Sequence, residues 1–564
     1  MLVTKHAAEL CALLVNDLHG ELPSRILNAL LTKGRSTIAQ LAQHTSLTPR
    51  YLRNGIAVLI QQNLLYHHTD ANTDITYYQA DADACYNLVR SGKILNVIEN
   101  QYGIAERELA QTLMQLGHAR IADLSQAFGH LNSVLVRLIR AEIVETVRPE
   151  SFQNPRDVYR EIEDEVTKPR PGEKVTKGKI EAQREVIERS RTYRDQSKTL
   201  KRQLDMSGGP KPKRRKLVNG ATQNGHGYDA PKLNPNVVVK INYERCLVEL
   251  RNQRLAELAT EMLGEVTGEV YRTVLDLLTS DSPRCQSDPL LDEVTPGQQP
   301  TVTTIDIFEH LDENINSAER IRETAPESDD DSDDSDAGPP ENRVRFEDAT
   351  NGNDTRISQM RRHLLLLAES KYPFIRHCGM YGRGQWTVDF SRLVGKLREI
   401  ELDAIIEQSH GRHGLRLTRI LREKGKLDEK MLPAAALMKK GDVQGKMLAM
   451  QMAGIVDVQE VPKDSSRLAN RTLFFWYFDK ERTQTQALDD IYKAMLRCLQ
   501  TLEVERHKER NILSFVERKD VQGKEEEVMT AEHYNKYNRH LGVQDKLLGQ
   551  VMRLDELVSV LRDY

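Results

Sequence analysis

LPSRILNALLTKGRSTIAQLAQHTSLTPRYLRNGIAVLIQQNLLYHHTDANTDITYYQ, residues Leu22 to Gln79, holds one complete folding unit. Pro23 suits the first turn of a helix, since its missing N–H would be unpaired there anyway. Ile26, Leu27, Leu30 and Leu31 then fall on one face, and Gly34 closes the helix. Thr37 and Gln40 form a capping-box pattern for a short second helix with Ile38, Leu41 and Ala42 turned inward. Thr48 is expected to cap a third helix through its side chain, with Pro49 at the first position and Leu52, Ile56, Leu59 and Ile60 as its buried stripe, and Asn63 ends it. Leu64 to Tyr66 and Ile75 to Tyr78, separated by the turn-rich stretch Thr69 to Asp74, read as two strands. Three helices followed by a β-hairpin make a winged helix-turn-helix.

The unit recurs without gaps at an offset of 83 residues: Gly20 and Gly34 return as Gly103 and Gly117, and Ile26, Leu30, Ile38, Leu41, Leu52 and Ile56 as Leu109, Leu113, Ile121, Leu124, Leu135 and Ile139. Such self-similarity marks an array of repeated units. A leading helix precedes each copy, residues 1–19 and Tyr86 to Tyr102, and the second wing is expected at Ile143 to Val147 with its return near Val158 to Ile162. Lys168 to Pro235 loses apolar periodicity and reads as a linker, with one helix around Ile180 to Leu204. Val237 to Met262 and Val270 to Leu278 read as helices of a third unit, followed by Ile305 to Leu311, an acidic insertion, a helix Ile357 to Ala368 and a wing including Trp386 to Phe390. A fourth unit is expected with helices Leu393 to Ile406, Leu415 to Lys424, Leu427 to Leu437 and Asp442 to Ala453, and with wing strands Ile455 to Val461 and Thr472 to Phe478. Leu488, Ile491, Met495, Cys498 and Leu502, and later Leu547, Val551, Leu554, Val558 and Leu561, alternate steps of three and four, which is the seam of a helical hairpin or of two amphipathic helices on the fourth unit. The expected architecture is mainly α with small β wings: four tandem extended winged-helix domains and a C-terminal coiled-coil hairpin. The boundaries are 1–80, 81–166, a basic linker 167–235, 236–392 with an acidic insertion at about 323–354, 393–480, and the hairpin 481–564.

Length agrees, since 564 residues at about 150 per domain suggest roughly four. With 80 Lys and Arg against 84 Asp and Glu, whole-chain charge does not announce a nucleic-acid binder. Cys11, Cys85, Cys246, Cys285, Cys378 and Cys498 stand far apart with no CxxC, which fits buried free thiols in a reducing compartment and supplies no zinc framework. No signal peptide and no membrane-length apolar run stand in the sequence. A soluble intracellular protein is the expectation.

Catalytic chemistry finds little support. Gly441 to Met447 has three residues between its glycines and Met447 where a phosphate loop needs Ser or Thr. Tyr381-Gly-Arg-Gly384 reads as a wing turn, and His67-His68 and His410 to His413 read as solvent-exposed side chains without metal-spaced partners. No metal, cofactor or small-molecule substrate is expected. DNA is the natural ligand of a third helix and wing. The basic positions are Arg50 and Arg53 in the first unit, Arg137 and Arg140 in the second, and Arg361, Arg362, Arg376 and Arg383 in the third, the most cationic. The wings of the first two units carry Asp70, Asp74, Glu145 and Glu150, so a solvated or protein-docking face suits those arginines equally. Lys211, Lys213, Arg214, Arg215 and Lys216 have the form of a nuclear import signal or of a solvated linker, and Ser328 stands in an acidophilic-kinase context.

Gly384 to Phe390, Leu417 to Leu421, Gly425 to Asp428, Gly454 to Lys463 with its Gln459-Glu-Val-Pro462, Arg471-Thr472 and Trp476 together resemble the third-largest, winged-helix subunit of eukaryotic RNA polymerase III, which is similar to the alpha chain of general transcription factor IIE. The resemblance spans nearly the whole chain apart from the two linkers, and the absence of zinc-ribbon cysteines favours the polymerase subunit. It implies a nuclear, non-catalytic subunit that joins a second winged-helix subunit and an acidic subunit in a three-subunit module near the clamp. That module binds promoter DNA near the cleft and assists promoter opening at small non-coding RNA genes. The alternative class is a winged-helix interaction scaffold that binds no DNA.

Overall fold

The computed structural model describes residues 3–70, 73–126, 131–167, 179–195, 201, 233–279, 282, 284–286, 291, 300–311, 352–462, 472–519 and 521–564. Lys211 to Lys216, Ser328, and most of the basic linker and acidic insertion lie outside these residues. The rest is mainly helical with small antiparallel sheets. It divides into two compact lobes, one of residues 1–243 and 398–563, the other of 244–397 with Tyr564.

In the first lobe α1 (Lys5–His19) leads into α2 (Glu21–Lys33), β1 (Ser36–Thr37), α3 (Ile38–Thr45), α4 (Pro49–Gln61), β2 (Leu65–Thr69) and β3 (Thr76–Ala80). The expected capping box forms, with Gln40 N–H donating to Thr37 Oγ1 and Thr37 N–H to Gln40 Oε1. Thr48, in contrast, occupies the cap of α4 without a side-chain hydrogen bond, so Pro49 alone starts that helix. Then come α5 (Ala82–Asn87), a 3-10 turn Leu88–Arg90, α6 (Ser91–Tyr102), α7 (Ile104–Leu116), β4 (His118–Arg120), α8 (Ile121–Ser125), α9 (Leu131–Arg140) and β5 (Val144–Thr146). The single leading helix expected over Tyr86 to Tyr102 is therefore broken at the 3-10 turn.

The expected wing return near Val158 to Ile162 is corrected. Pro155–Thr167 is a helix, α10, followed by α11 (Lys179–Asp195), and the strand that pairs with β5 is β6 (Val238–Ile241), beyond the basic segment. Pro155 suits a helix start, and Val158 and Ile162 lie one turn apart. Val239 and Ile241 are buried instead, so the helix expected from Val237 begins only at Tyr243.

Next follow α12 (Tyr243–Leu263), α13 (Glu265–Thr279), β7 (Val302–Thr303), α14 (Thr304–His310), α15 (Gly352–Glu369), β8 (Arg376–Gly379) and β9 (Gln385–Thr387). Phe390, expected in the wing, opens the helix α16 (Phe390–Lys424), which breaks at Gly411. After it, β10 (Leu427–Asp428) and α17 (Leu432–Ala436) replace the one helix expected over Leu427 to Leu437, ahead of α18 (Lys440–Met452), β11 (Val456–Pro462) and β12 (Thr472–Phe478). Last are α19 (Lys480–Lys508) and α20 (Ala531–Val558), with Ser559–Asp563 closing as a π turn.

The four sheets share one topology, β1-β3-β2, β4-β6-β5, β7-β9-β8 and β10-β12-β11, so in each the central strand is the last in sequence. Each set also has a glycine at positive φ between its leading helix and the next: Gly20 at 91°, Gly103 at 114°, Gly264 at 95° and Gly411 at 74°. Only glycine enters that region without strain. In the first lobe Leu10, Ile26, Leu27, Leu41, Leu52 and Leu59 share a core with Ile491, Met495, Val551 and Leu561 of the C-terminal helices. Those helices thus pack on one another and on the first helices of the chain, whereas the fourth sheet covers a separate core around Leu417, Leu432 and Met447.

Candidate nucleic-acid interface

The third sheet and its helices carry an exposed basic surface. Thr303 caps α14 in a box with Asp306, which fixes the helix start against β7. On α15, Met360, His363, Leu364 and Leu367 turn inward, and this same spacing sends Arg361, Arg362 and Leu365 to solvent. His363 Nδ1 lies 2.9 Å from the Thr267 hydroxyl, and burial lowers the pKa of its ring. Arg376 and Arg383 lie exposed on the wing, one in β8 and one in the turn before β9, with Lys371 also exposed ahead of β8.

The wing is pinned from beneath. Trp386 is fully buried, and its Nε1–H donates to Thr304 Oγ1 at 3.0 Å. The Gly384 carbonyl in turn accepts from the Thr304 N–H at 3.0 Å and from its hydroxyl at 3.1 Å. His377 meets the Trp386 ring edge to face at 5.0 Å. Tyr381 to Gly384 is the wing turn that the sequence suggests. Sequence reasoning missed that this turn thrusts Met380 and Tyr381 outward, at 76% and 77% exposure. The available signal was the pair Gly382 and Gly384, which allows positive φ around the one non-glycine residue, Arg383, that shares it.

The other predicted positions differ in what surrounds them. Arg50 and Arg53 are exposed on α4, but the wing beside them is engaged within the chain. Arg35, next to β1, pairs with Asp157 of α10 at 2.9 Å, and His68 on β2 approaches Glu161 of α10 at 3.3 Å. His67 stacks on Phe152 with centroids 6.1 Å apart, so the two wing histidines are half-buried and partnered, not solvent-exposed as the sequence suggested. In the second set Arg137 Nη1 donates to the buried Glu106 carboxylate at 2.5 Å, while Arg140 is exposed. Glu145 pairs with Lys240, and the Glu150 carbonyl accepts from the Tyr193 hydroxyl. The fourth set's α18 exposes Leu448 at 59% and Met452 at 83%, an apolar face poorly matched to phosphates.

The six cysteines are free, three of them buried, but Cys378 on β8 is exposed, contrary to the buried thiols expected. Among the described residues no cluster of His, Cys, Asp and Glu could hold a metal ion, and no helix is long and apolar enough to cross a membrane.

Three family descriptions match the chain: the RNA polymerase III subunit RPC82 over residues 133–397, the POLR3C C-terminal winged-helix domain over 402–478, and the RNA polymerase III subunit RPC82 helix-turn-helix domain over 9–70. The chain is 39% identical to the DNA-directed RNA polymerase III subunit rpc-3 of Neurospora crassa, with all of both chains covered. It is 37% identical to the subunit RPC3 of Chaetomium globosum, covering 92% of this chain and all of the relative. To the rpc3 subunit of Botryotinia fuckeliana it is 34% identical, again over the whole of both.

Proposed function

The chain belongs to the RNA polymerase III subunit RPC82 family, and from that membership we propose that it is a non-catalytic subunit that holds promoter DNA near the cleft during initiation. In this reading its four helix–sheet sets are tandem extended winged helices, and α19 and α20 form a hairpin. They dock with a second winged-helix subunit and an acidic subunit into a three-subunit module on the clamp, which assists promoter opening at small non-coding RNA genes. The observation that carries the DNA role is the exposure of Arg361, Arg362, Arg376 and Arg383 on one third helix and its wing. Phosphate contacts from such positions would set a duplex in register without reading its bases. The second reading, protein docking without DNA, is favoured at one place by the apolar face of α18.

Replacing those four arginines with Ala tests the first reading. If each neutralises one phosphate, the variant binds duplex DNA more weakly, with a log–log salt slope shallower by about 0.9 per lost contact. Co-purification of the polymerase module is expected to survive. Lost assembly would assign the arginines to a protein interface, and unchanged DNA binding would make them a solvated surface.

The basic run Lys211 to Lys216 would bring the chain to the nucleus. Changing Lys213, Arg214 and Arg215 to Ala should move a tagged chain toward the cytoplasm in cells lacking its partners. An unchanged nuclear signal there would refute that role.

A further inference from the structure

Tyr381 is the most exposed of the large hydrophobic aromatics among the described residues, at 77% against 56% for Tyr51 and 38% for Phe474. Met380 beside it is 76% exposed. Two large apolar side chains largely in water at one tip carry a hydration cost. The tip is held firmly in place. A Cβ at Gly382 would come within 2.6 Å of Thr303 Cβ, so the turn sits directly on the cap of α14. Gly382 at φ 61°, Arg383 at 64° and Gly384 at 129° complete a turn that few other sequences adopt. A shift of register between His377 and Gly379 re-aims the strand just before the tip. Arg376 and Arg383 flank it, and Arg361 and Arg362 belong to the same helix–sheet set.

An aromatic ring on a rigid projection between cations is suited to a flat, unpaired, polyanionic partner. Bases inside a duplex are already stacked on both faces, whereas the first unpaired base beside a duplex end has one face open. We propose that Tyr381, backed by Met380, stacks on the unpaired base at the junction between duplex and opened DNA, while the neighbouring arginines hold the duplex phosphates. Aromatic residues are 5% of the chain, too few for a long single-strand platform but compatible with one stacking contact at a fork. This inference rests on the DNA-holding role proposed above and names the form of DNA that the wing engages.

The test uses the full chain with two probes of equal length, a fully paired duplex and a fork carrying 2-aminopurine at the first unpaired position. Wild type should bind the fork more tightly and quench the 2-aminopurine. Tyr381→Ala should lose that preference by about ten-fold, within the usual range for one base–aromatic stack, with duplex affinity unchanged. Tyr381→Phe should retain it, because stacking needs the ring and not the hydroxyl. Since Tyr381 is exposed, neither change removes a core contact. Equal loss on fork and duplex, or Phe behaving as Ala, would overturn the stacking role while leaving DNA holding intact. An unchanged fork preference with impaired polymerase assembly in Tyr381→Ala would overturn it in favour of a protein contact. Absence of binding to either probe by wild type would overturn the DNA-holding reading as well.

Discussion

Arg90 is a fully buried cation, and the residues around it explain how it is tolerated. Its Nε–H donates to Asp555 Oδ1 at 2.8 Å, Lys93 Nζ donates to Asp555 Oδ2 at 2.9 Å, and the Tyr86 hydroxyl donates to Asp555 Oδ1 at 3.0 Å. Asp563 lies beside the same guanidinium, and Arg562 sits over the Tyr86 ring at 4.2 Å while reaching the Tyr492 hydroxyl. The cluster joins the first wing's exit, α5 and its 3-10 turn, to the end of α20. Removing one partner from such a cluster leaves buried charge unpaired, so Asp555→Ala should cost about 3–5 kcal/mol locally. Hydrogen exchange should then quicken in Ala82–Arg90 and Ala531–Val558, and unaltered protection would refute the assignment. The pH dependence follows from the same atoms. Burial works to raise the Asp555 carboxyl, but Arg90 and Lys93 outweigh it and hold it below its ordinary 3.8. A depressed carboxyl stabilises the fold above its unfolded value and loses that contribution as pH falls through the folded one. The near-ultraviolet signal of Tyr86 and Tyr492 should therefore persist down to about pH 4 and collapse below it; collapse between pH 5 and 6 would point to another group.

At the scale of elements, local chemistry decides what the sequence reveals. The first set was legible almost residue by residue because capping box, proline start, apolar stripe and hairpin all lie within 58 consecutive residues. The pair β11 and β12 was legible for a related reason: Val456, Val458 and Val461 on one strand and the aromatic run Phe474 to Phe478 on the other are strand formers close in sequence, and their register runs from Val456 opposite Phe478 to Pro462 opposite Thr472. The strand β6 was not. Val238 to Ile241 is a short apolar run joined directly to α12, and short apolar runs do not distinguish helix from strand by periodicity. What fixes it as a strand is pairing with His118 to Arg120 and Val144 to Thr146, far back in the chain. Long intervening segments cost little extra closure entropy, which makes such a pairing affordable yet invisible locally. The basic interface was half legible: the helical spacing of α15 gives Arg361 and Arg362 their exposure, but the engagement of the first wing by α10 depends on a helix misread as a strand. The pairing of β6 is testable at Val239, which is fully buried. Val239→Asp should destabilise the second sheet by several kcal/mol, and amides of His118–Arg120 and Val144–Thr146 should exchange faster. If only residues after Tyr243 respond, the pairing is wrong.

At the scale of the whole molecule, the chain's ends are part of one core. Ala8, Leu10 and Val15 of α1 share it with Ile491, Met495 and Leu496 of α19 and with Val551, Val558 and Leu561 at the end of the chain, and Leu402 of α16 joins them. His6 Nδ1 lies 2.9 Å from Asp489 Oδ2, and Arg506 reaches Asp17, so polar contacts line the same junction. A winged helix exposes one side of its leading helix unless something covers it, and here the covering comes from residues almost five hundred positions away. The first set is consequently expected to depend on the C-terminal helices more than on its sequence neighbours. A chain ending at Phe478 would uncover the face of α1 that packs on α19. At roughly 1.5–3 kcal/mol per fully exposed aliphatic side chain, that loss is comparable to the net stability of a small domain. Such a truncation should lose protease resistance over residues 1–80 while the fourth set, whose core around Leu417 and Met447 is separate, stays protected. Supplying residues 481–564 as a separate polypeptide should restore protection to the first set. Equal protease sensitivity of the first set in the full and truncated chains would show that α1 and α2 are self-sufficient.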